Sequence, residues 1–158
     1  TTFKSPGRRD NYYYCLPADW IKKLLKTKEQ TNLKSNAAPF WSLAEDKKPF
    51  FMRVVLPMQN EDWPLMLKIA KSWTQADEEN ADAWYYLGFA QKKMANFDFA
   101  KLFLKQAIKL NDMHLDSLIE LAEISIQQKD KLEFTKIVNL ISKIDEGLAK
   151  SYIQNSKI

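Results

Sequence analysis

The feature that most constrains the fold of this chain is a 34-residue period in its second half. When residues 60–80 are shifted forward by that period, apolar residues fall on apolar residues at helical spacing. All six prolines lie before residue 65, so no proline interrupts a helix after Pro64. The matched pairs include Trp63 with Phe97, Ala70 with Leu104, Trp73 with Ala107 and Gly88 with Ala122. A mainly α-helical stack of repeated units is therefore predicted.

The apolar pattern predicts the positions of six helices, which cover residues 62–75, 81–95, 98–110, 115–128, 131–144 and 146–154. Asp62, Asn80 and Asp145 stand directly before three of these helices, where a side-chain oxygen can accept a hydrogen bond from a free backbone N–H. We expect these three residues to act as N-caps.

The last predicted helix differs from the others because it has no helix after it to cover it. Leu148, Tyr152 and Ile153 share one of its sides, and polar residues occupy the others. We expect these three side chains to cover the apolar end of the stack, as terminal helices of repeat proteins do.

Gly88 lies inside the predicted helix 81–95, where glycine costs about 1 kcal/mol relative to alanine. A small residue in a helix interior allows a neighbouring helix to approach closely. Ala100 is the small residue expected to face it from the next helix.

Trp84, Leu87 and Gly88 form a W-x2-L-G pattern that, with the 34-residue period, resembles the tetratricopeptide (TPR) repeat over residues 47–148. Gln91 and Asp112 stand where that signature has tyrosine and proline. The resemblance implies a right-handed stack of about three helical hairpins with a C-terminal capping helix. It also implies that the first helix of each hairpin lines a concave groove.

The first 48 residues have a different character, with ten Lys or Arg against five acidic residues. Residues 1–3 and 12–15 are β-prone and flank a turn-rich stretch, and an amphipathic helix follows at residues 20–25. We therefore predict two domains: residues 1–48, a basic segment with a short β-ribbon, and residues 49–158, the helical domain.

The order of strand, basic loop, strand, proline and short helix over residues 1–26 resembles the C-terminal end of a trypsin-like serine peptidase of the HtrA type. This resemblance implies that a catalytic domain precedes Thr1. The alternative interpretation is a simple N-terminal ribbon and cap.

The apolar run at residues 50–56 joins the two predicted domains. We expect its side chains, Phe50, Phe51, Met52, Val54, Val55 and Leu56, to be buried against the helix that begins near Asp62. Pro57 is expected to end early any helix that forms here.

The candidate binding site consists of the groove positions that the packing residues leave available. The aromatic side chains would anchor an extended or helical peptide, and Lys92 and Lys93 would bind its carboxylates. In the alternative, Tyr85 and Phe89 pack beneath the N-terminal segment. The predicted groove residues are Tyr85, Tyr86, Phe89, Lys92, Lys93, Ile119, Glu120, Glu123 and Gln127.

The chain offers no constellation for catalysis. Its only histidine is His114 and its only cysteine is Cys15, and no G-x-S-x-G motif is present. We therefore expect a non-enzymatic module with no cofactor, metal or membrane span, whose partner is a protein or peptide. Glu120 and Glu123 lie one turn apart, but a solvated helix face is the preferred explanation of that pair.

Two other functions stay open at this point. The helices could recruit substrate or regulate access while docked on the catalytic domain of a peptidase. The basic N-terminal third could bind nucleic acid. Lys4, Arg8 and Arg9 would contact phosphates and the tyrosines would stack on bases, although these residues do not belong to a recognised nucleic-acid-binding motif. The β-prone N-terminal segments could also mediate self-association.

Overall fold

The described part of the chain is built from α-helices joined by short turns. A computed structural model describes residues 42–156, all of which belong to one compact unit, Pro39–Ile158. Between residues 42 and 156 no β-strand is found. The predicted β-ribbon and the predicted amphipathic helix at residues 20–25 lie outside these residues. The domain boundary at residue 48 stays a prediction.

Within residues 42–156, short helical elements precede six longer helices. A 3-10 helix spans Glu45–Lys47. The α-helices are α1 (Phe50–Arg53), α2 (Val55–Gln59), α3 (Trp63–Ala76), α4 (Ala81–Lys93), α5 (Phe97–Leu110), α6 (Leu115–Gln127), α7 (Lys131–Ile144) and α8 (Glu146–Asn155). The six long helices confirm the predicted positions to within two residues at each end. From α3 onward each helix packs on the next, and α4 also packs on α6.

The predicted N-caps are confirmed, and two further caps were missed. The side chains of Asp62, Asn80 and Asp145 accept hydrogen bonds from the backbone N–H groups of Leu65, Ala83 and Leu148 at 3.1, 3.2 and 2.9 Å. His114 caps α6 and Asp130 caps α7 in the same way. These side chains satisfy backbone donors that would otherwise have no partner in the first turn.

The 34-residue period is visible in the backbone of the turns. Glu61, Ala95 and Lys129 have positive φ angles of 56°, 62° and 57°. In each turn the next residue donates its N–H to a carbonyl five residues earlier, which is the hydrogen bond that closes a Schellman motif. These bonds join Asp62 to Pro57, Asn96 to Gln91 and Asp130 to Ser125 at 2.8, 2.9 and 2.9 Å. The same turn therefore begins α3, α5 and α7.

The close approach at Gly88 is confirmed, and the three atoms nearest to a Cβ at this position belong to Leu104 rather than to the predicted Ala100. A Cβ atom at Gly88 would lie 2.8 Å from Leu104 Cγ and 3.1 Å from the Leu104 backbone nitrogen. Leu104 lies one helical turn after Ala100, so the tightest contact for a Cβ at Gly88 is one turn later than expected. Because a backbone atom cannot rotate away, a methyl group at this position would require α5 to shift.

The next unit relaxes this requirement by exchanging volume between the two helices. Ala122 of α6 and Val138 of α7 occupy the positions equivalent to Gly88 and Leu104, and both are buried in the core. Ala122 has a methyl group that Gly88 lacks, and Val138 is smaller than Leu104. Cores tolerate such exchanges when total volume is conserved.

The prediction for residues 50–56 was wrong for three of its six side chains, whereas Phe50 stacks on Trp73 of α3 with the ring centroids 5.9 Å apart. Val54 is fully buried, but Phe51, Val55 and Leu56 are 58%, 41% and 55% exposed. Helix formation is interrupted at Val54, where α1 ends and α2 begins. Pro57 does not end α2, since it occupies the first turn of that helix, where its missing N–H would have no partner.

The capping role of α8 is confirmed for part of its predicted face. Leu148 and Tyr152 are partly buried against the core, and Ala149 is buried. Ile153 is 61% exposed, so its predicted role in the cap was wrong. Ile153 instead lies at the edge of a cavity of about 300 Å³ between α7 and α8, which Phe134 and Val138 also line.

We expect Gly88→Ala to lower the free energy of unfolding by about 1–2 kcal/mol, although alanine is the better helix former. The added methyl would overlap Leu104, including its backbone nitrogen. Urea denaturation measures the change. Gly147→Ala is the control, because there the nearest atom is the exposed Asp145 carboxylate at 3.3 Å. Equal effects of the two substitutions would contradict the close approach.

We expect Lys129→Gly to raise the free energy of unfolding by about 0.5–1 kcal/mol, because it removes the steric cost of a left-handed conformation. Lys136→Gly is the matched control in the interior of α7, where the same change should cost about 1 kcal/mol. Thermal or urea denaturation of both variants tests this difference. Destabilisation by Lys129→Gly would show that the turn does not impose the strain inferred here.

Candidate functional site

The nine predicted groove residues all lie on α4 and α6, two helices that pack against each other. The surface that they form is called the α4–α6 face below. The repeat places equivalent residues side by side, so that Asp82, Tyr86, Phe89 and Lys93 on α4 correspond to Asp116, Glu120, Glu123 and Gln127 on α6. This register adds two acidic residues, Asp82 and Asp116, to the predicted set.

The aromatic residues of α4 are held by a chain of ring contacts. The ring of Tyr85 lies 5.1 Å from that of Tyr86 and 5.9 Å from that of Phe89, measured between centroids. Trp73 of α3 stacks on Tyr86 at 5.9 Å, and Trp63 of α3 meets the edge of Phe89 at the same distance. Tyr85, Tyr86 and Phe89 are therefore packed but only half-buried, which leaves part of each ring at the surface.

Lys92, which the sequence suggested as a partner for ligand carboxylates, is paired within the chain. Its ammonium group lies 2.5 Å from a carboxylate oxygen of Glu120 and 2.5 Å from one of Glu123. The Lys92 and Glu120 side chains are each only 12% exposed. Glu120 and Glu123 are therefore not a simple solvated pair, and the Lys92 charge is neutralised within the chain. An ion pair between two repeats also fixes α4 relative to α6.

The environment raises the pKa of Lys92 above its ordinary value of 10.5. Burial acts in the opposite direction and is the largest single influence, but the hydrogen bonds to Glu120 and Glu123 and the charges of these carboxylates together outweigh it. Lys92 therefore remains a cation on this face throughout the physiological range.

Lys93 is exposed and lies over the aromatic residues. Its ammonium nitrogen is 5.6 Å from the ring centroid of Trp63 and 5.2 Å from that of Phe89. Both distances fall in the range of a cation–π interaction. The face thus already holds one cation on aromatic rings and another between carboxylates.

The junction of the two repeats is formed by His114, which lies directly before the predicted helix 115–128 and was not assigned to the site from the sequence. Its Nε2 is 3.1 Å from an Asp82 carboxylate oxygen, and its Nδ1 accepts a hydrogen bond from the Ser117 backbone N–H at 3.2 Å. Its ring also lies 5.3 Å from that of Tyr85. Because Nδ1 accepts, the proton is on Nε2 and is donated to Asp82.

The pKa of Tyr86 is raised above its ordinary value of 10.0, first by burial and then by the charges of Asp82 and Asp116. Both carboxylates therefore act electrostatically on the Tyr86 hydroxyl. The signal that could have identified them is their spacing of 34 residues, with an aspartate in the first turn of each helix.

A second surface feature lies beside the first short helices. Phe51, Met52, Val55 and Leu56 line a shallow cavity of about 400 Å³, together with Glu45 and Lys48. In the 34-residue register, Met52 and Val55 are equivalent to Tyr86 and Phe89. The first unit thus has aliphatic residues where α4 has aromatic ones.

Two kinds of site are not found within the described residues. No three of their histidine, cysteine or acidic side chains are grouped so that they could hold a metal ion. None of the helices formed by residues 42–156 combines the length and apolarity needed to cross a bilayer. Comparison of the chain with protein-family models and with curated proteins finds no match.

We expect the free energy of unfolding to fall as the pH rises above about 10, where the unfolded chain begins to release protons that folded Lys92 and Tyr86 retain. For both residues the stabilising contribution is complete below the ordinary pKa and is lost as the pH passes through the raised one. Urea denaturation between neutral pH and pH ~11 measures this dependence.

Lys92→Met should lower stability at neutral pH, because Glu120 and Glu123 lose their cation, and should also make the alkaline fall shallower. Lys136→Met, at an exposed position of α7, is the control and should retain the wild-type fall. The same pH dependence in Lys92→Met and wild type would contradict the proposed linkage.

Proposed function

We propose that this chain is a non-enzymatic protein-interaction module that binds a peptide segment of a protein along the α4–α6 face. In this proposal the hairpins form a right-handed TPR-like stack. The 34-residue recurrence of the turns at Glu61, Ala95 and Lys129 supports that assignment. The W-x2-L-G pattern and the contact between α4 and α6 also support it.

One observation carries the proposal. Tyr85, Tyr86 and Phe89 are adjacent and half-buried, and rings from α3 hold Tyr86 and Phe89, so the exposed parts of the three rings form a preorganised aromatic surface. Aromatic side chains fixed in this way lose little conformational entropy on binding and are typical anchors of interfaces. An interaction module is favoured over an enzyme because Glu120 and Glu123 hold the Lys92 amine of this face as a cation with a raised pKa, and a protonated amine is not a nucleophile.

The proposal of a preceding peptidase domain concerns residues 1–26, which lie outside the described part of the chain. It would not change the role of the α4–α6 face. The face could recruit a substrate to such a domain, or it could bind an independent partner.

The test is selection of a random-peptide phage library on the full chain, followed by affinity measurement with the enriched peptides. Tyr85→Ala/Phe89→Ala should abolish binding. Because both rings also pack internally, Ile119→Ala/Gln127→Ala provides a second variant and should weaken binding about tenfold, as loss of interface contacts commonly does. Circular dichroism establishes that each variant is folded.

The matched control is Ile108→Ala/Gln75→Ala, which removes the same residue types from α5 and α3. It should bind the enriched peptides as wild type does. Failure to enrich any peptide, or equal binding by the Ile119→Ala/Gln127→Ala variant and this control, would overturn the proposal.

A further inference from the structure

The charge of the α4–α6 face is opposite in sign to the charge of the whole chain. The chain has a formal net charge of +4. The face carries four carboxylates and two lysines, which leaves two negative charges. The carboxylates belong to Asp82, Asp116, Glu120 and Glu123, and the lysines are Lys92 and Lys93.

The equivalent positions on the neighbouring units do not reverse this sign. Lys48 and Lys150 occupy the positions of Asp82 and Asp116 in the adjacent units. Lys48 pairs with Glu45 at 2.6 Å, and Lys150 pairs with Glu146 at 2.7 Å. Each of these lysines is therefore accompanied by a carboxylate. Among residues 42–156 the excess of two negative charges remains, and Lys157, at the position of Glu123 in the next unit, lies outside these residues.

Three of the four carboxylates are accessible from solvent. The Asp82 and Glu123 side chains are 65% and 50% exposed, and Asp116 is also exposed. Glu120 is largely covered by its pair with Lys92. Since Glu120 alone suffices to neutralise Lys92, the accessible carboxylate of Glu123 represents excess charge.

The chain's own cations show how this face accommodates positive groups. Lys92 lies between two carboxylates, and Lys93 lies over two aromatic rings. Tyr85 and Tyr86 present further ring surface close to Asp82, because His114 contacts both Tyr85 and Asp82. An incoming guanidinium or ammonium group would therefore meet aromatic rings and carboxylates together.

From this arrangement we infer that the partner segment is basic: an extended peptide with lysine or arginine side chains that lie on Tyr85 and Tyr86 and pair with Asp82, Asp116 and Glu123. The inference rests on the proposed function, since it specifies the ligand class of the same face. It also replaces the expectation that Lys92 and Lys93 bind ligand carboxylates. The same negative charge disfavours nucleic acid here, because phosphates would be repelled.

The experiment uses the full chain and the same random-peptide library. The enriched peptides should be richer in lysine and arginine than the unselected library. Asp116→Asn/Glu123→Gln should bind the most enriched basic peptide about tenfold more weakly at low salt, and the difference from wild type should shrink in molar salt because ions screen these charges. Fluorescence anisotropy measures both affinities.

The matched control is Asp98→Asn/Glu133→Gln. It also neutralises one first-turn aspartate and one glutamate that is paired with a lysine, but on α5 and α7. This variant should bind as wild type does.

The outcomes separate the two proposals. Enrichment of acidic or neutral peptides that still depend on Ile119 and Gln127 would overturn the basic preference and leave the interaction module intact. Equal binding of the basic peptide by wild type and Asp116→Asn/Glu123→Gln would have the same consequence. Absence of any enriched peptide, or binding that does not depend on Ile119 and Gln127, would overturn both.

Discussion

The close approach of α4 to α5 at Gly88 is the contact on which the rest of this structure depends. At this point Leu104 Cγ and the Leu104 backbone nitrogen lie 2.8 and 3.1 Å from where a Cβ atom would be, so α5 leaves no room for a side chain on α4. The contact fixes the position of α4, and α4 carries the aromatic residues of the proposed binding face. It also lies at the edge of the continuous core that Leu104 shares with α6 and α7. A change in the spacing of α4 and α5 would therefore alter both the proposed binding face and this core.

The turns repeat one backbone geometry, so the contact between the two helices of a hairpin recurs in successive units. A residue with positive φ recurs every 34 residues, and in none of the three cases is it glycine. The hydrogen bond from the next residue to a carbonyl five residues earlier closes each turn and satisfies a helix-end carbonyl, which offsets the strain. Identical turns place successive helices in equivalent positions. The side chains can then vary between units, as Gly88 with Leu104 and Ala122 with Val138 illustrate.

Electrostatics couples neighbouring repeats and determines the character of the binding face. Lys92 joins α4 to Glu120 and Glu123 of α6, and His114 joins the start of α6 to Asp82 of α4. Each contact crosses the boundary between units; Lys92 and Glu120 are largely covered by their pairing, whereas the carboxylates of Asp82 and Glu123 stay accessible to a ligand. The residual charge is negative, and it lies beside aromatic rings whose positions are fixed by α3. The ligand preference inferred here thus follows from how the repeats are held together.

Helix positions, the turn period and three of the five side-chain N-caps could be predicted from the sequence, because they depend on residues close in the chain. Periodicity, proline placement and cap residues report local geometry directly. The burial of Val54 but not of Phe51 could not be predicted, because it depends on how α1 and α2 meet α3. Which residue of α5 comes nearest to Gly88 could not be predicted for a similar reason, since the relative sliding of two helices is set by side-chain packing. The pairing of Lys92 with Glu120 and Glu123, separated by 28 and 31 residues, depends on α4 lying beside α6. The amino-acid sequence by itself determined a repeating set of capped helices, whereas only the tertiary structure decided which charges neutralise one another, because charge pairing between helices depends on their distance in space.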